Sequence, residues 1–142
     1  RSGGLCHGTQ PDPSPHENCV EVPGSSAYFL SGAITYSNEA KIRDLGVGAN
    51  IIETHGAVSA ECAEAMAAGI RKRSCVDHAI SVTGIAGPDG GSDEKPVGTV
   101  FIGYSGALGT KSVRVTLPGD RYLIRWRTSQ AVLDYLRRQL LM

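Results

Sequence analysis

Residues 77–104 read DHAISVTGIAGPDGGSDEKPVGTVFIGY, and this stretch decides the fold. Asp77–Thr83 has the pattern of a strand, and Val97–Tyr104 that of a second strand. The loop between them, Gly84–Pro96, contains four glycines and two prolines. Open α/β sheets bind ligands beyond the carboxyl ends of their strands, so this loop is the first candidate site.

Strands and helices alternate outward from this stretch. Gly32–Tyr36 fits a short strand, and Lys111–Leu117 fits a strand that forms a hairpin with Val97–Tyr104. Ser37 is predicted to cap a helix over Asn38–Leu45 that stops at Gly46, and Ala49–Thr54 adds a helical turn or two. Ser59 is predicted to cap a helix to about Arg73, with the buried stripe Ala63, Met66, Ala67 and Ile70.

The last predicted helix follows Pro118-Gly119-Asp120. Its predicted apolar stripe consists of Tyr122, Trp126, Leu133, Leu136 and Leu140. The alternation of elements predicts an α/β fold, a three-layer α/β/α sandwich with a mixed, mostly parallel sheet. Residues 1–22 are expected to form an irregular Pro-rich segment, because Pro11, Pro13 and Pro15 exclude a helix, and residues 23–142 form the folded domain.

The composition limits the classes of function. The chain has 142 residues, which suits one domain, and its 14 basic and 14 acidic residues give zero net charge. The zero net charge argues against nucleic-acid binding by bulk electrostatics. A membrane span is not expected, because no apolar run approaches the roughly 20 residues that a membrane helix needs. The four cysteines show no zinc spacing and are interpreted as reduced thiols. The missing zinc spacing leads us to expect no metal. No signal peptide is visible at the N-terminus, so we expect a cytoplasmic protein.

The glycine loop Gly84–Gly91 has two interpretations. Its glycines Gly84, Gly87, Gly90 and Gly91 let backbone N–H groups approach an anion or a developing oxyanion. The stretch matches neither a dinucleotide fingerprint nor a P-loop. The alternative is a long surface turn that needs glycines only for its shape.

Two basic residues are further candidates. Lys41 lies in the stretch Tyr36-Ser37-Asn38-Glu39-Ala40-Lys41, at a predicted strand-to-helix junction, where burial could lower its pKa until it serves as a base. Arg121 stands at the start of the last helix, where free N–H groups and a guanidinium could bind phosphate. The alternatives are an exposed helical lysine and an ordinary surface arginine.

Several motifs together resemble the C-terminal domain of the CinA competence/damage-inducible family. They include Pro23-Gly24-Ser25-Ser26, Thr35–Lys41, His55–Ser59, Thr83–Gly91 and Pro118–Arg121, and the resemblance covers about residues 23–142. It implies an amidohydrolase that converts nicotinamide mononucleotide to nicotinate mononucleotide and ammonia, with no cofactor. It also implies roles for Lys41 as base, Tyr36 in the proton network, Thr83 in the site and Arg121 at the phosphate.

One departure from the family pattern concerns the nucleophile. Members carry A-E-S-C-T-G-G before the Pro-Gly-Ser-Ser motif, and its serine is the nucleophile. This chain lacks that motif, so its first strand and helix are expected to be missing or altered. Ser2, Thr9 and Ser14 are the hydroxyls considered in its place.

Three functions follow from these observations. The first is the amidohydrolase, and the second is a non-catalytic CinA-like domain that binds a nucleotide or serves assembly. A nucleic-acid module connected with competence is the weakest, because the net charge is zero. Self-association is expected if a missing element leaves an apolar surface or a sheet edge open.

Overall fold

The structure, a computed structural model, describes residues 4–6 and 19–142. In this part of the chain the sheet has five strands in the order β2-β1-β3-β4-β5. Their bounds are β1 (Gly4–Cys6), β2 (Ser31–Ala33), β3 (Ala79–Gly84), β4 (Thr99–Gly106) and β5 (Gly109–Thr116). β1 pairs in parallel with both β2 and β3, whereas β3, β4 and β5 are antiparallel to their neighbours.

Helices lie on both faces of this sheet. α1 (Asn38–Leu45), α2 (Ala49–His55) and α3 (Ala60–Ser74) form one layer, and α4 (Arg121–Leu140) lies on the opposite face. A 3₁₀ turn, Ser25–Ala27, precedes β2. The predicted three-layer α/β/α sandwich with a mixed sheet is thereby confirmed.

β3 supplies side chains to two hydrophobic cores. Ala79 belongs to the core under α1–α3, whereas Ile80 and Val82 belong to the core under α4. The hydroxyl of Ser81 faces the α3 layer and donates to the carbonyl of Ala63 at 2.5 Å. The period of two along this strand therefore fixes which side chains reach each helical layer.

The helix starts predicted from the sequence are confirmed. Ser37 accepts a hydrogen bond from Ala40 N–H, Ser59 from Cys62 N–H and Asp120 from Leu123 N–H. α1 ends at Gly46, whose φ of 68° is the left-handed conformation that glycine adopts without a Cβ clash.

Two expectations about the sheet require correction. Its pairings divide evenly between parallel and antiparallel, so the sheet is mixed but not mostly parallel. Of the first strand and helix expected to be missing or altered, the strand is present, because Gly4–Cys6 forms β1 between β2 and β3, whereas residues 7–18 lie outside the described residues. A strand of three residues is too short to show a period of two, and this hid it in the sequence.

The strand predicted over Gly32–Tyr36 was placed too late. The observed strand β2 covers Ser31–Ala33. The carbonyls of Thr35 and Tyr36 instead accept hydrogen bonds from the amine of Lys41. The backbone after Ala33 therefore binds the amine of Lys41 through its carbonyls and does not extend strand β2.

The apolar stripe predicted for α4 is wrong at Tyr122, Trp126 and Leu140, whereas Leu136 of that stripe packs against the core. Tyr122, Trp126 and Leu140 are 57%, 44% and 50% exposed, whereas Ile124, Thr128, Ser129 and Val132 are buried. Small hydroxyl side chains can face the sheet because their polar atoms bond locally, as Thr128 does to the carbonyl of Ile124 at 2.6 Å. A search for large apolar residues therefore missed the part of the helix where Thr128 and Ser129 face the sheet.

Most of the predicted segment 1–22 lies outside the described residues, including its three alternating prolines. Cys19, Cys62 and Cys75 are free thiols, as predicted. Across the described ranges, no helix combines the length and the apolar character needed to cross a lipid bilayer.

Candidate functional site

Two adjacent cavities open where β3 ends. The inner cavity has a volume of about 150 Å³, and the outer cavity one of about 280 Å³. Tyr36, Gly84, Ala86 and Arg125 belong to the walls of both. The ligand position expected at the carboxyl end of this strand therefore coincides with the largest group of candidate residues.

Lys41 lies in the wall of the inner cavity. It is one turn before Leu45 on α1, and both face inward, so the side chain of Lys41 is only 7% exposed. Its amine donates to the carbonyl of Thr35 at 2.9 Å and to that of Tyr36 at 3.5 Å. The interpretation as an exposed helical lysine is therefore wrong, and the predicted burial is confirmed.

The surroundings of Lys41 favour its neutral form. Burial lowers the pKa of its amine below the usual value, an effect that the nearby Cys62 thiol partly offsets. Burial also raises the pKa of the Cys62 thiol, an effect that the Lys41 amine partly offsets. A desolvated amine with a free lone pair at a cavity wall can accept a proton from a neighbouring hydroxyl or water.

Three threonine hydroxyls belong to the walls of the inner cavity. Thr83 donates to the carbonyl of Ala57 at 2.7 Å, and Thr128 donates within α4. The Oγ1 atom of Thr35 is buried and has no hydrogen-bond partner among the described residues, which sequence analysis did not anticipate. Met66, Val82 and Val100 supply the apolar part of the same wall.

The glycine loop forms much of the outer cavity. Gly84, Gly87 and Gly90 belong to its wall, whereas Gly91 is absent from both sets of wall residues. Gly87 has a φ of 78°, and a Cβ there would lie 2.6 Å from Cγ1 of Val97. Alanine would be strained at this position, which therefore favours glycine. The interpretation as a loop of special shape and the interpretation as a ligand-facing loop both apply to it.

Arg121 joins α4 to the glycine loop. Its Nη1 donates to the carbonyl of Gly87 at 2.9 Å, and its side chain is exposed at the outer cavity. The sequence placed both groups beside one ligand, and the structure brings them into direct contact. Asp89 is the one acidic residue among the described residues of this wall.

Tyr36 stands between the two cavities, but not as a strand end. It follows β2 by three residues, and its side chain is 69% exposed. Its hydrogen bond with Lys41 uses the backbone carbonyl. The phenol is therefore positioned at the mouth, where it can meet a ligand.

Arg125 is the site residue that sequence reasoning missed. Arg121 was the only arginine of this helix predicted from the sequence as a site residue, yet Arg125 contributes to the walls of both cavities. The available signal was its spacing from Arg121, since residues four apart share one helix face. Ser2, Thr9 and Ser14, the hydroxyls considered as nucleophiles, lie outside the described residues.

Comparison with known proteins places this arrangement in a family. The model of the CinA C-terminal domain matches residues 16–140. A CinA-like protein of Geotalea uraniireducens is 54% identical over 122 residues, which are 86% of this chain and 29% of that protein. A competence-damage inducible protein of Halothermothrix orenii is 53% identical over 85% of this chain and 30% of that protein. The chain thus spans about 30% of the length of these curated relatives.

Solved structures show the same architecture. The competence/damage inducible protein CihA of Agrobacterium tumefaciens is 35% identical, with a TM-score of 0.86 over 96% of this chain and 84% of that one. The competence damage-inducible protein A of Klebsiella pneumoniae is 28% identical, with a TM-score of 0.89 over 99% and 86%. The motifs, the fold and these matches agree, and the chain belongs to the CinA C-terminal domain family.

Proposed function

We propose that the chain is an amidohydrolase domain that converts nicotinamide mononucleotide to nicotinate mononucleotide and ammonia. The observation that carries the proposal is the buried amine of Lys41, whose pKa is lowered by burial, in the wall of a cavity that also contains Thr83. A base of this kind is what attack on a stable amide requires.

The two cavities fit the two ends of such a substrate. The inner cavity combines Lys41 with the apolar side chains of Met66, Val82 and Val100, which suits an aromatic carboxamide. The outer cavity offers the glycine loop and Arg121, which suit a phosphate group. The mononucleotide therefore enters ring first, with its phosphate at Arg121.

The proposed reaction transfers one proton out and back. Neutral Lys41 takes the proton of the attacking hydroxyl, whose oxygen bonds to the carboxamide carbon. Backbone N–H groups at Gly84 and Ala86, which belong to the walls of both cavities, stabilise the oxyanion. The C–N bond breaks, the proton passes from Lys41 to the nitrogen, and ammonia leaves. Water then hydrolyses the ester, which yields the acid and restores the hydroxyl.

The nucleophile is assigned to a hydroxyl near Lys41. Ser2, Thr9 and Ser14 are the candidates from the sequence, and Thr35 adds one because its Oγ1 has no hydrogen-bond partner within residues 4–6 and 19–142. Removing each in turn, with Thr35→Val as the isosteric change, identifies the group: the responsible variant loses turnover and still binds the nucleotide.

A second candidate is a non-catalytic domain that binds a nucleotide or serves assembly. One observation favours it: the hydroxyls of Thr83 and Thr128 already donate to backbone carbonyls. The nucleophile motif A-E-S-C-T-G-G is also absent from the sequence. The cavities remain suited to ligand binding without the covalent step.

Ammonia release from nicotinamide mononucleotide, measured beside calorimetric binding of the same compound, separates the two candidates. Release that is proportional to protein concentration supports the amidohydrolase. Saturable binding without release supports the non-catalytic domain, and the absence of both overturns the two together.

Two expectations about the setting stay predictions. A pyridine-nucleotide substrate implies the cytoplasm, which fractionation tests. Self-association was expected from a missing sheet element or from a surface left by a missing helix; β1 is present, and residues 7–18 lie outside the described residues. The exposed Tyr122, Trp126 and Leu140 of α4 are a separate motive, and light scattering at high concentration measures the outcome.

A further inference from the structure

Arg125 carries an unpaired edge inside the protein. Its Nε and Nη2 atoms are buried, and neither has a hydrogen-bond partner in the part of the chain that the structure describes. A guanidinium does not lose its charge at ordinary pH. A buried and unpaired cationic donor is costly, so this edge suits an acceptor that the fold itself does not supply.

The geometry of that edge selects the kind of acceptor. The N–H bonds of Nε and Nη2 run side by side in the guanidinium plane and match the two oxygens of a carboxylate. Three other arginines near the site each donate to a backbone carbonyl: Arg121 to that of Gly87, Arg127 to that of Pro118 and Arg114 to that of Glu94. Of these four, Arg125 alone has buried guanidinium nitrogens, Nε and Nη2, that find no acceptor among the described residues.

The inner cavity is also unusual in its charge. Arg125 is the permanently charged residue of its wall, and no Asp or Glu belongs to that wall among residues 4–6 and 19–142. The other wall residues include Met66, Val82 and Val100. An apolar space with positive charge and no local counter-ion fits an aromatic anion better than a neutral aromatic ring.

We propose that the inner cavity is a carboxylate site in which Arg125 binds both oxygens of an aromatic acid. The inference rests on the proposed function, under which nicotinate mononucleotide is the product. A neutral carboxamide presents one acceptor oxygen, whereas the acid presents two charged ones. The product therefore binds more tightly than the substrate, and the enzyme is inhibited by its product.

The test compares acid and amide forms of the same nucleotide. Nicotinate mononucleotide and nicotinamide mononucleotide are titrated by calorimetry into the wild type, Arg125→Met and Arg121→Ala. Trp126, the one tryptophan of the chain, follows Arg125 directly and gives a fluorescence readout of the same binding.

The wild type is expected to bind the acid about tenfold more tightly or better, the difference between a charge-assisted and a neutral hydrogen bond. Arg125→Met should bring the ratio of the two affinities close to one. Arg121→Ala should weaken both ligands alike and leave the ratio unchanged, since it acts on the phosphate that they share.

Equal affinities in the wild type, or a preference for the acid that survives in Arg125→Met, overturn the carboxylate site. If Arg125→Met loses mononucleotides but keeps the binding of their ribosides, Arg125 binds phosphate and the inference is wrong. A preference for the acid without any ammonia release upholds the site and refutes the amidohydrolase. Circular dichroism confirms that each variant is folded before its affinities are compared.

Discussion

The inner and outer cavities are built from different material. The inner one has side chains on strands and helices, of which Lys41, Thr83 and Thr128 are at most 8% exposed. The outer one consists mainly of the glycine loop and of Arg121, whose side chain is exposed. Rigid elements therefore hold the group that performs the proposed chemistry, and a loop holds the group that recognises the rest of the substrate.

This difference predicts how each cavity responds to substitution. A change in the inner wall should affect turnover, because it alters groups at the reacting carbon. A change in the outer wall should affect affinity and its dependence on salt, because it alters a screened charge at some distance.

The largest effect is expected from Lys41→Ala. Removal of a general base lowers turnover by about 10² to 10⁴-fold, so ammonia release should fall to near the detection limit. Steady-state assays with nicotinamide mononucleotide measure this loss. Lys72→Ala is the matched control, since Lys72 is an exposed lysine on α3. Turnover of Lys41→Ala close to that of the control would exclude Lys41 as the base.

Arg121→Ala should produce the next largest effect, and in affinity. A charge-assisted contact contributes about 1.5–3 kcal/mol, which corresponds to a loss of binding of roughly ten- to a hundredfold. The loss should shrink at high salt, because the contact is exposed. Arg137→Ala serves as control, since Arg137 pairs with Asp134 near the other end of α4.

The riboside distinguishes a phosphate contact from a general one. Calorimetry with nicotinamide mononucleotide and with its riboside should show that Arg121→Ala weakens only the former. If the wild type binds both with the same affinity, the phosphate is not recognised and the role given to Arg121 is wrong.

The sequence was informative wherever the signal was local. Ser37, Ser59 and Asp120 each cap a helix, and each hydrogen bond joins residues three apart in the chain. A cap needs only its own side chain and the next turn, so it is readable without the fold. The predicted glycine stop at Gly46 belongs to the same class.

The rest depended on contacts between distant residues. The hydroxyl of Thr83 is positioned by the hydrogen bond that it donates to the carbonyl of Ala57, 26 positions away. Lys41 and Thr83 belong to the wall of the same cavity because β2, which precedes α1, and β3 lie on either side of β1. No local sequence pattern contains this strand order. The resemblance to the family predicted that Lys41 and Thr83 share a site. Only the structure shows that Nε and Nη2 of Arg125 have no partner among the described residues.

A smaller effect is expected from Gly87→Ala in the outer cavity. The left-handed φ and the approach to Val97 should shift the loop, raise KM by a few-fold and leave Lys41 in place. Gly109→Ala is the matched control, because its φ of 118° strains alanine too, yet nothing lies within 4 Å of the added Cβ. Both variants should lose about 1–2 kcal/mol of stability.

Only Gly87→Ala should change KM, and thermal unfolding with steady-state kinetics on both proteins makes the comparison. A rise in KM of equal size in Gly109→Ala would trace the effect to general destabilisation. The outer cavity would then lose its assignment as the phosphate end.

The smallest effect concerns stability and pH in the inner cavity. Burial lowers the pKa of Lys41 in the folded state, whereas the unfolded chain retains a value of about 10.4. Between these two pKa values the unfolded state binds more protons, so stability rises with pH. The unfavourable contribution of Lys41 is complete below its folded pKa and disappears as pH approaches the unfolded value.

Lys41→Met removes this dependence and keeps most of the side-chain volume. The variant also loses the hydrogen bond to Thr35, about 1 kcal/mol, but that loss is the same at every pH. The slope therefore carries the test rather than the offset. Melting temperatures at pH 7, 8, 9 and 10 should rise more steeply for the wild type than for Lys41→Met, by a few degrees in total. Lys72→Met, on an exposed site, should follow the wild type. Parallel curves for the wild type and Lys41→Met would mean that Lys41 titrates alike in both states, and the inner cavity would then lack the desolvation on which its proposed chemistry depends.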